Sequence, residues 1–414
     1  MARRMWLLYP DRIQGALLGP GVRILAISRH LEAQGHQVEL VLGEGSHLPS
    51  SQSDARLHVL EESVLARIQP GDGLIVSGYL PGRILASLAA RPQPFQADLY
   101  CTTATEIICH PMLGSIRLLR ERRRRLLRYR LLVERAERIW VSNGLQQAFL
   151  GGLLYSSPRK GTVRTVDTLP QKCQEVPMGV SDEPFSTGNP WPYPGAMRNR
   201  RIFLWGGGIW NWFDVPTLLE AFALLQENGS SAALFFLGGR RLSGREEHER
   251  PIRAALEKAS SLGILDRSVF FNERAAQPQE LPGYLEHCVA GAMSNPASFE
   301  SATSWRTRYL DLLWAGKPLV VSGSDPLAER MAASGGAMVS ASGDPVALAG
   351  SIDKLCRDEA LSGSLGAGSS ALGERLRWSK VLSPLLSACD DPGSFSRTAG
   401  QPTLLWRARY KLGW

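Results

Sequence analysis

Short apolar runs alternate with stretches of helical periodicity along most of the chain. In the first half, five such runs predict buried strands, at residues 6–9, 38–42, 74–77, 98–101 and 139–142. Segments with helical spacing lie between them, among them residues 22–34 and 81–90. Buried strands that alternate with helices are typical of a parallel sheet that is covered on both faces.

The second half repeats this rhythm. Apolar runs predict strands at residues 202–205, 232–237, 269–271, 289–293, 319–322 and 337–339. Helical spacing predicts helices at residues 215–227, 250–262, 305–315 and 345–356. The pattern therefore predicts an α/β protein with two doubly wound, Rossmann-like domains, and such sheets bind ligands at the carboxyl ends of their strands.

A proline-rich segment separates the two halves. Residues 181–200 contain Pro184, Pro190, Pro192 and Pro194, which disfavour both a helix and a central strand. The chain of 414 residues is also longer than one hydrophobic core supports. We predict an N-terminal domain at residues 1–185, a linker at 186–200, a C-terminal domain at 201–375 and a C-terminal tail at 376–414.

The composition is that of a folded globular protein. Hydrophobic residues make up 44% and charged residues 21% of the chain, which excludes a mostly disordered protein. No apolar run approaches the roughly 18 residues that span a membrane, and the apolar start is too short for a signal peptide. We therefore expect a cytoplasmic protein. The six cysteines lack a C-x-x-C pair, so we expect reduced thiols and no zinc site.

The net charge of +8 is concentrated in one segment. Between Arg117 and Arg138 there are ten arginines and three glutamates, a net charge of +7. Within it, Leu119, Leu126 and Val133 recur at seven-residue spacing and predict one apolar stripe on a helix. The segment is either a core helix with a solvated arginine face or a basic helix that rests peripherally on anionic lipid at the inner face of the cytoplasmic membrane. Because it lacks a nucleic-acid-binding motif, we expect no nucleic acid partner.

Two glycine-rich turns follow predicted strands. Their glycines are Gly19, Gly21, Gly206, Gly207 and Gly208. Glycine lets the backbone approach a ligand, and the N-terminus of the next helix offers free N–H groups to an anion. Trp210 and Trp212 come directly after the second turn. They either stack on a nucleobase or sugar ring, or they pack a domain interface.

The segment that begins at Glu300 carries the clearest chemistry. Arg306 and Arg308 fall in the first turns of the helix predicted at 305–315, where the helix dipole favours acids over bases. A bound diphosphate would turn both arginines into favourable partners. Asp311 is placed to accept hydrogen bonds from ribose hydroxyls, and Glu300 to do the same for a sugar. The alternative is that both arginines pair with nearby acids on a solvated face.

These motifs resemble those of the retaining glycosyltransferases of family 4, which have the GT-B fold of two facing Rossmann-like domains with a cleft between them. The likeness is strongest to a subgroup with a Gly-Gly-x-x-x-Trp-Phe-Asp loop, matched at residues 207–214. The same subgroup carries a Ser-x-Arg-Thr-Arg-x-Leu-Asp-x-x-Trp-Ala-Gly-x-Pro block, matched at residues 304–318. The resemblance covers residues 5–355, and proteins of this kind assemble lipopolysaccharide and other surface polysaccharides.

The sequence departs from the wider family at its acidic positions. That family usually carries two glutamates separated by seven residues. Asp311 takes the second position, while Thr303 rather than Glu300 falls at the first.

The loop cations of the wider family are absent as well. Gly208 and Phe213 stand where the family has Arg and Lys on the first loop of the C-terminal domain. We expect Arg306 and Arg308 to replace the two charges. Arg306 is expected to reach the diphosphate and Arg308 to brace the loop through Glu300.

The resemblance implies transfer of a sugar from a nucleotide-sugar to a hydroxyl acceptor, with retention at the anomeric carbon and without a divalent metal or other cofactor. The acceptor is expected to be a growing surface glycan or a lipid-linked saccharide. The expected catalytic residues are Glu300 and Arg306. The expected donor-binding residues are Gly206, Gly207, Gly208, Trp210, Trp212, Ser304, Thr307, Arg308 and Asp311. The expected phosphate and acceptor residues on the N-terminal domain are Gly19, Gly21, Glu106 and His110.

Three other functions remain open. A catalytically inactive homologue would bind a nucleotide-sugar without transferring the sugar. A dinucleotide oxidoreductase needs a third glycine after Gly19 and Gly21, where Ile24 stands. A membrane-associated scaffold would depend on the arginine-rich segment alone and would leave the glycine turns unexplained.

Overall fold

The computed structural model describes residues 2–13, 19–48, 55–101, 103–106, 115–156, 169–238 and 246–395. The chain forms two compact units. Within the described ranges, the first unit consists of residues 2–178 and 378–395, and the second of residues 179–377.

The first unit is built on a seven-stranded sheet whose paired strands are all parallel. Its strands are β1 Arg4–Leu8, β2 Gln37–Leu42, β3 Arg56–Val59, β4 Gly73–Ser77, β5 Gln96–Asp98, β6 Arg138–Val141 and β7 Cys173–Glu175. Its first helices are α1 Gly19–Ala33, α2 Gly82–Ala89, α3 Thr103–Glu106, α4 Ile116–Arg135 and α5 Gly144–Tyr155. The strand order β3-β2-β1-β4-β5-β6-β7 reverses between β1 and β4, as in a doubly wound sheet.

The second unit repeats this plan with a six-stranded parallel sheet. Its strands are β8 Arg201–Trp205, β9 Ala232–Phe236, β10 Val269–Phe271, β11 Ala290–Ser294, β12 Leu319–Ser322 and β13 Ala337–Ser340. Its helices are α6 Val215–Glu227, α7 Glu246–Ser261, α8 Leu281–His287, α9 Phe299–Thr303, α10 Arg308–Trp314, α11 Pro326–Ala333, α12 Pro345–Arg357 and α13 Glu359–Arg375. The order β10-β9-β8-β11-β12-β13 reverses between β8 and β11, and ligands of doubly wound sheets bind at such a switch point.

After Arg377 the chain returns to the first unit, which the sequence did not indicate. Two short helices, α14 Trp378–Val381 and α15 Ser383–Asp390, precede the 3-10 turn Pro392–Phe395. His36 Nε2 lies 3.4 Å from a carboxylate oxygen of Asp390. The last described helices therefore pack beside β2 rather than forming a separate tail.

The predicted strands all exist, and all but one have bounds within two residues of those expected. The exception is the strand predicted at 98–101, since β5 ends at Asp98. Most of these strands are buried along their length, although β13 is half-buried or exposed. Every residue of β4, β9 and β11 is buried. The two strands that the pattern did not predict are short and lie at the edges of the first sheet. β3 has four residues and is mostly exposed, and β7 has three.

The helices differ from expectation at three places. α1 begins at Gly19, so Gly19 and Gly21 lie inside its first turn and not in a turn before it. The helix predicted at 305–315 begins later than expected, since α10 begins only at Arg308. The Gly- and Ser-rich residues after Asp358 form α13, whose Gly373 lies so close to α10 that a β-carbon would be 2.7 Å from the Leu313 carbonyl oxygen.

The proline-rich segment packs onto the second unit. Glu286 accepts hydrogen bonds from the backbone N–H groups of Gly188 and Asn189 at 2.9 and 2.8 Å. The hydroxyl of buried Tyr193 donates to the Tyr284 carbonyl oxygen at 2.6 Å. These contacts anchor the segment that precedes β8.

Two further sequence expectations concern membrane spans and thiols. Within the described residues, none of the helices combines the length and the apolar character that a membrane span requires. The cysteines in the described ranges are free thiols. They are Cys101, Cys173, Cys288, Cys356 and Cys389.

Candidate functional site

The glycine turn after β8 lies at the switch point of the second sheet. Gly207 has a φ of 74°, a conformation that favours glycine. The chain after β9 approaches this turn closely, since a β-carbon at Gly238 would lie 2.5 Å from the Gly207 carbonyl oxygen. Both glycines are therefore required by the local backbone.

The same loop is tied to the end of β11, the next strand across the switch point. The Asp214 N–H donates to the Ser294 carbonyl oxygen at 3.2 Å, and the Ser294 hydroxyl donates to the Asp214 carbonyl oxygen. The Asp214 carboxylate in turn accepts from the Thr217 hydroxyl at 2.6 Å and caps α6. The loops that follow β8 and β11 thus form one connected rim.

Trp210 and Trp212 stack on each other at this rim. Their ring centroids are 5.6 Å apart and their planes differ by 15°. A β-carbon at Gly208 would lie 3.5 Å from the Trp210 indole, so the ring covers the last glycine of the turn. Both side chains are half-buried, which leaves part of each aromatic surface open to a ligand.

Glu300 and Arg306 form a buried ion pair on the loop after β11. Two guanidinium nitrogens donate to the two carboxylate oxygens at 2.9 and 2.7 Å, and the side chains are only 2% and 5% exposed. Ser304 donates a third hydrogen bond to the carboxylate at 2.5 Å. Burial acts to lower the pKa of Arg306, but the charge and hydrogen bonds of Glu300 outweigh it and the pKa is raised.

Arg308 lies beside this pair but has no carboxylate partner among the described residues. Its Nη2 donates to the Gly208 carbonyl oxygen at 3.1 Å, while its Nη1 is buried without a hydrogen bond in the described structure. Its guanidinium stacks 4.0 Å from the ring centre of Phe213. Burial, and next the positive charge of Arg306, lower the pKa of Arg308 to about 9.

The structure contradicts one part of the expected division between the two arginines, the contact of Arg308 with Glu300. Arg306, and not Arg308, makes the contact with Glu300. Arg308 reaches across to the glycine turn that follows β8. Phe213, which occupies a loop position where the wider family has a cation, contacts both guanidinium groups, at 4.7 Å for Arg306 and 4.0 Å for Arg308.

A buried polar network that the sequence did not predict lies behind the two arginines. Asn295, directly after β11, donates to Tyr309 and Asp325, each at 3.1 Å, and the Tyr309 hydroxyl donates to Asp325 at 2.9 Å. Burial raises the pKa of Asp325 to about 6. A signal was available, since a polar residue immediately after a fully buried strand lies at the ligand-binding edge of such a sheet.

The remaining predicted donor residues lie on α10 and at its start. Asp311 is on α10, and its carboxylate has no hydrogen bond or ion pair among the described residues. Burial raises its pKa to about 6. Thr307 immediately precedes the helix, although its side chain makes no capping hydrogen bond.

Three of the expected phosphate and acceptor residues lie in the described part of the first unit. Glu106 ends α3 and accepts a hydrogen bond from the Cys101 thiol at 3.2 Å. Gly19 and Gly21 lie in the first turn of α1. His110 lies outside the described residues.

The carboxyl edge of the first sheet also contains a buried arginine. Arg23 on α1 donates to both oxygens of Asp98 at 2.7 and 2.8 Å, and to the Pro177 carbonyl oxygen at 3.1 Å. The Tyr9 hydroxyl also donates to Asp98. Because these charged groups are fully buried and mutually paired, the cluster fixes α1 against the sheet.

The described ranges contain no group of three or more His, Cys, Asp or Glu side chains placed to hold a metal ion.

Comparisons with known proteins place this architecture among known folds. No protein-family model matches the sequence, and no curated protein matches it. Among solved structures, HepE of Anabaena in complex with UDP has a TM-score of 0.65 and 12% identity, over 94% of this chain and 99% of that one. Sucrose-phosphate synthase of Thermosynechococcus elongatus has a TM-score of 0.68 and 14% identity, over 92% and 97%.

A third solved structure carries a different activity in its name. The N-terminal domain of trehalose-6-phosphate phosphatase of Candida albicans has a TM-score of 0.69 and 11% identity, over 95% of this chain and 97% of that one. Likeness at this level of identity concerns the fold. The chain has the α/β fold of the GT-B glycosyltransferases, with two parallel, helix-covered sheets.

Proposed function

We propose that the protein is a glycosyltransferase that transfers a sugar from a nucleotide-sugar to a hydroxyl acceptor. The observation that carries the proposal is Nη1 of Arg308, which is buried without a hydrogen bond in the described structure, beside the glycine turn of a doubly wound sheet. A buried polar group without a partner requires an explanation, and a diphosphate at the switch point supplies one. The complexes of HepE with UDP and with UDP-glucose support a donor of this chemical class.

The donor-binding residues are proposed to be those gathered around the β8–β11 switch point. The glycine turn and Arg308 take the diphosphate, and the half-exposed face of Trp210 or Trp212 takes the base or the sugar. Asp311, whose carboxylate has no partner in the described structure, accepts from ribose hydroxyls. A hydroxyl pair would stabilise this desolvated carboxylate by hydrogen bonds to its charged form.

The donor is tested by incubating the purified protein with UDP-, GDP-, dTDP- and ADP-sugars and following release of the nucleoside diphosphate. The proposal expects one class to raise the melting temperature and to be consumed when an acceptor extract is added. If none of the four classes binds, the proposal is wrong.

We also propose that transfer retains the anomeric configuration and needs no divalent metal. Retention follows from the resemblance of residues 304–318 to the retaining family, and the charge of a bound diphosphate is met by arginine. Proton NMR of the first product formed distinguishes α- from β-linked sugar. Addition of a chelator tests the metal, since activity should not change.

The acceptor is proposed to be a lipid-linked saccharide or growing surface glycan, reached by peripheral contact of α4 with the cytoplasmic face of the membrane. Only part of the predicted apolar stripe lies in the core. Val133 is buried and Leu126 packs partly against the core, but Leu119 is 43% exposed and Ile116, at the start of the helix, is 69% exposed. The amino-terminal half of α4 thus presents apolar side chains among exposed arginines, as a membrane-surface helix does.

Vesicle co-sedimentation at low salt tests this contact. The protein should pellet with vesicles containing phosphatidylglycerol and not with pure phosphatidylcholine, because each basic residue near an anionic surface contributes about 1 kcal/mol. Replacement of Arg122, Arg123 and Arg124 by Glu should abolish pelleting, whereas Arg357→Glu, at an exposed position of α12, should not. Equal pelleting with both vesicle types would contradict the electrostatic contact.

A second candidate function is that of a nucleotide-sugar-binding protein without transferase activity. The observation that favours it is the carboxylate of Glu300, whose two oxygens are already engaged by Arg306 and Ser304. Such a protein would bind a donor and release no nucleoside diphosphate with any acceptor. The same donor and acceptor assay separates the two functions.

A further inference from the structure

The loop after β1 lies at the switch point of the first sheet, where the strand order reverses between β1 and β4. Doubly wound sheets bind ligands at such a point, outside the carboxyl ends of their strands. β1 ends at Leu8, and the first carboxylate after it belongs to Asp11, whose side chain is half-buried. The position of Asp11 in the fold is therefore that of a ligand-binding residue of the first unit.

The loop after β2 holds the Asp11 backbone in place. The Gly43 N–H donates to the Asp11 carbonyl oxygen at 3.0 Å. Two residues further on, the Ile13 N–H donates to the Ser46 hydroxyl at 3.1 Å. The two loops pack so closely that a β-carbon at Gly43 would lie 2.8 Å from the Pro10 carbonyl oxygen. Asp11 is thus fixed by backbone contacts that do not involve its carboxylate.

The Asp11 carboxylate has no cation as a partner in the described structure, and its Oδ2 is buried without a hydrogen bond there. Arg12 donates through Nε to the Gly45 carbonyl oxygen at 3.2 Å instead. Arg23, at the same edge of the sheet, is paired with both oxygens of Asp98. Burial raises the pKa of Asp11, and a hydrogen bond from its own backbone N–H opposes the rise. The fold therefore keeps a partly desolvated carboxylate with one oxygen that lacks a donor, which is unfavourable without a ligand.

The chemistry of this oxygen limits the ligand that fits it. An ionised carboxylate accepts hydrogen bonds and donates none, so the group that binds it is a donor. A phosphate or carboxylate on the ligand would be repelled by the like charge. A metal ion needs further ligands, and the described ranges hold no cluster of three or more His, Cys, Asp or Glu side chains. The hydroxyl groups of an uncharged saccharide meet these conditions.

We infer that Asp11 binds a hydroxyl group of the saccharide acceptor, and that it selects acceptors that are uncharged at this position. This inference rests on the proposed transferase function and specifies the chemistry of its acceptor. A hydroxyl donor would supply the hydrogen bond that Oδ2 lacks in the described structure and would stabilise the charged form of the carboxylate. A residue that costs stability without its ligand is typical of a functional site.

The test measures binding of saccharide probes to the full-length protein by saturation-transfer NMR titrations. The probes are the methyl glycosides of glucose, galactose, mannose and N-acetylglucosamine, each beside the same glycoside phosphorylated at its primary hydroxyl. The parent should bind at least one neutral glycoside more tightly than its phosphorylated counterpart. Asp11→Asn should weaken binding of that glycoside about tenfold, because it removes a charge-assisted hydrogen bond. The phosphorylated counterpart should lose less, since the repelling charge is removed as well.

Melting curves separate a binding role of Asp11 from a packing role. Asp11→Asn should melt no lower than the parent, because it removes a desolvated charge. Glu44→Gln serves as a matched control, since Glu44 is exposed on the neighbouring loop after β2, and it should change neither binding nor melting.

Three results would overturn the inference. The first is a parent protein that binds none of the neutral glycosides or prefers the phosphorylated ones. The second is glycoside binding by Asp11→Asn within about twofold of the parent. The third is a lower melting temperature of Asp11→Asn with equal weakening for both kinds of probe, which would make Asp11 a packing residue.

Transfer assays with the same variants distinguish a failure of this inference from a failure of the proposed function. If glycoside binding depends on Asp11 but no nucleotide-sugar is bound or consumed, the saccharide site stands and the transferase proposal is wrong. If the parent transfers sugar to an acceptor extract and Asp11→Asn does so equally well at low acceptor concentration, the transferase proposal stands and the assignment of Asp11 is wrong.

Discussion

The buried pair of Glu300 and Arg306 makes a prediction about stability that is independent of any donor. Removing the Arg306 side chain would leave the Glu300 carboxylate almost fully buried, with Ser304 as its remaining side-chain partner among those described. An uncompensated buried charge of this kind typically costs about 3–5 kcal/mol. We therefore expect Arg306→Ala to destabilise the second unit severely.

The magnitude follows from the size of that unit. For a domain of about 200 residues, 1 kcal/mol shifts the melting temperature by about 2–4 °C, so Arg306→Ala should lower it by about 10 °C. Replacing both members, by Glu300→Gln and Arg306→Met, removes the two charges and keeps much of the volume. Such replacements are often nearly neutral. The double variant should therefore melt closer to the parent than Arg306→Ala does.

The assay is a set of melting curves, without nucleotide, for the parent, Glu300→Gln, Arg306→Met and the double variant, with Arg306→Ala measured beside them. The four curves form a double-mutant cycle whose interaction energy should exceed about 2 kcal/mol in favour of the pair. Arg274→Ala breaks an exposed ion pair and should leave the curve unchanged. If Arg306→Ala melts within about 2 °C of the parent, the pair does not hold this loop and the reasoning fails.

Three other predictions concern separate features. Gly238→Ala places a β-carbon 2.5 Å from the Gly207 carbonyl oxygen and should lower the free energy of unfolding by about 1–3 kcal/mol, as measured by melting. Gly350→Ala, in open space on α12, should leave that free energy unchanged or raise it. Trp212→Ala should weaken donor binding about tenfold in calorimetry and leave the melting temperature unchanged. A lower melting temperature with normal donor binding would show that the ring serves packing instead. Hydrogen bonds from Gly188, and next from Asn189, lower the pKa of Glu286 to about 2. The ionised Glu286 carboxylate therefore stabilises the fold at neutral pH, and this stabilisation is lost as the pH falls toward about 2. Acid unfolding of Glu286→Gln should accordingly show a shallower loss of stability below about pH 5, and an identical slope would contradict this.

Much of the fold was predictable because local and global signals agree. The buried strands are continuous apolar runs, and the glycine turn follows β8 where a doubly wound sheet requires one. Asp214, directly before α6, is of a residue type that favours the start of a helix, and it caps α6. By contrast, β3 and β7 are short edge strands, and α13 contains glycines whose purpose is close packing against neighbouring helices. The spacing of apolar residues, from which a helix is predicted, contains no signal for such close packing.

The division of the charges was not predictable from the pattern. The helix predicted at 305–315 includes Arg306 but not Glu300, so the spacing alone does not show whether their side chains meet. In the structure α9 ends at Thr303 and α10 begins at Arg308, and the residues between them allow Arg306 to turn back toward Glu300. Because Arg306 precedes α10 rather than lying within it, the predicted helix start also led to the wrong partner for Glu300.

The position of Phe213 explains how a charge can be supplied from a different element. In the wider family that the sequence resembles, this loop position carries a cation, which is covalently fixed where an anion binds. Here the ring of Phe213 holds the guanidinium of Arg308 at 4.0 Å, and the contact between a cation and an aromatic face contributes about 0.5–2 kcal/mol. The ring of Phe213 on the loop thus contacts an arginine on α10 that has no carboxylate partner among the described residues. A second cation would repel Arg308 unless it were neutralised, and Glu300 performs that neutralisation for Arg306. The ring of Phe213 therefore lets two guanidinium groups lie side by side, because Glu300 neutralises Arg306 and leaves Arg308 as the charged one.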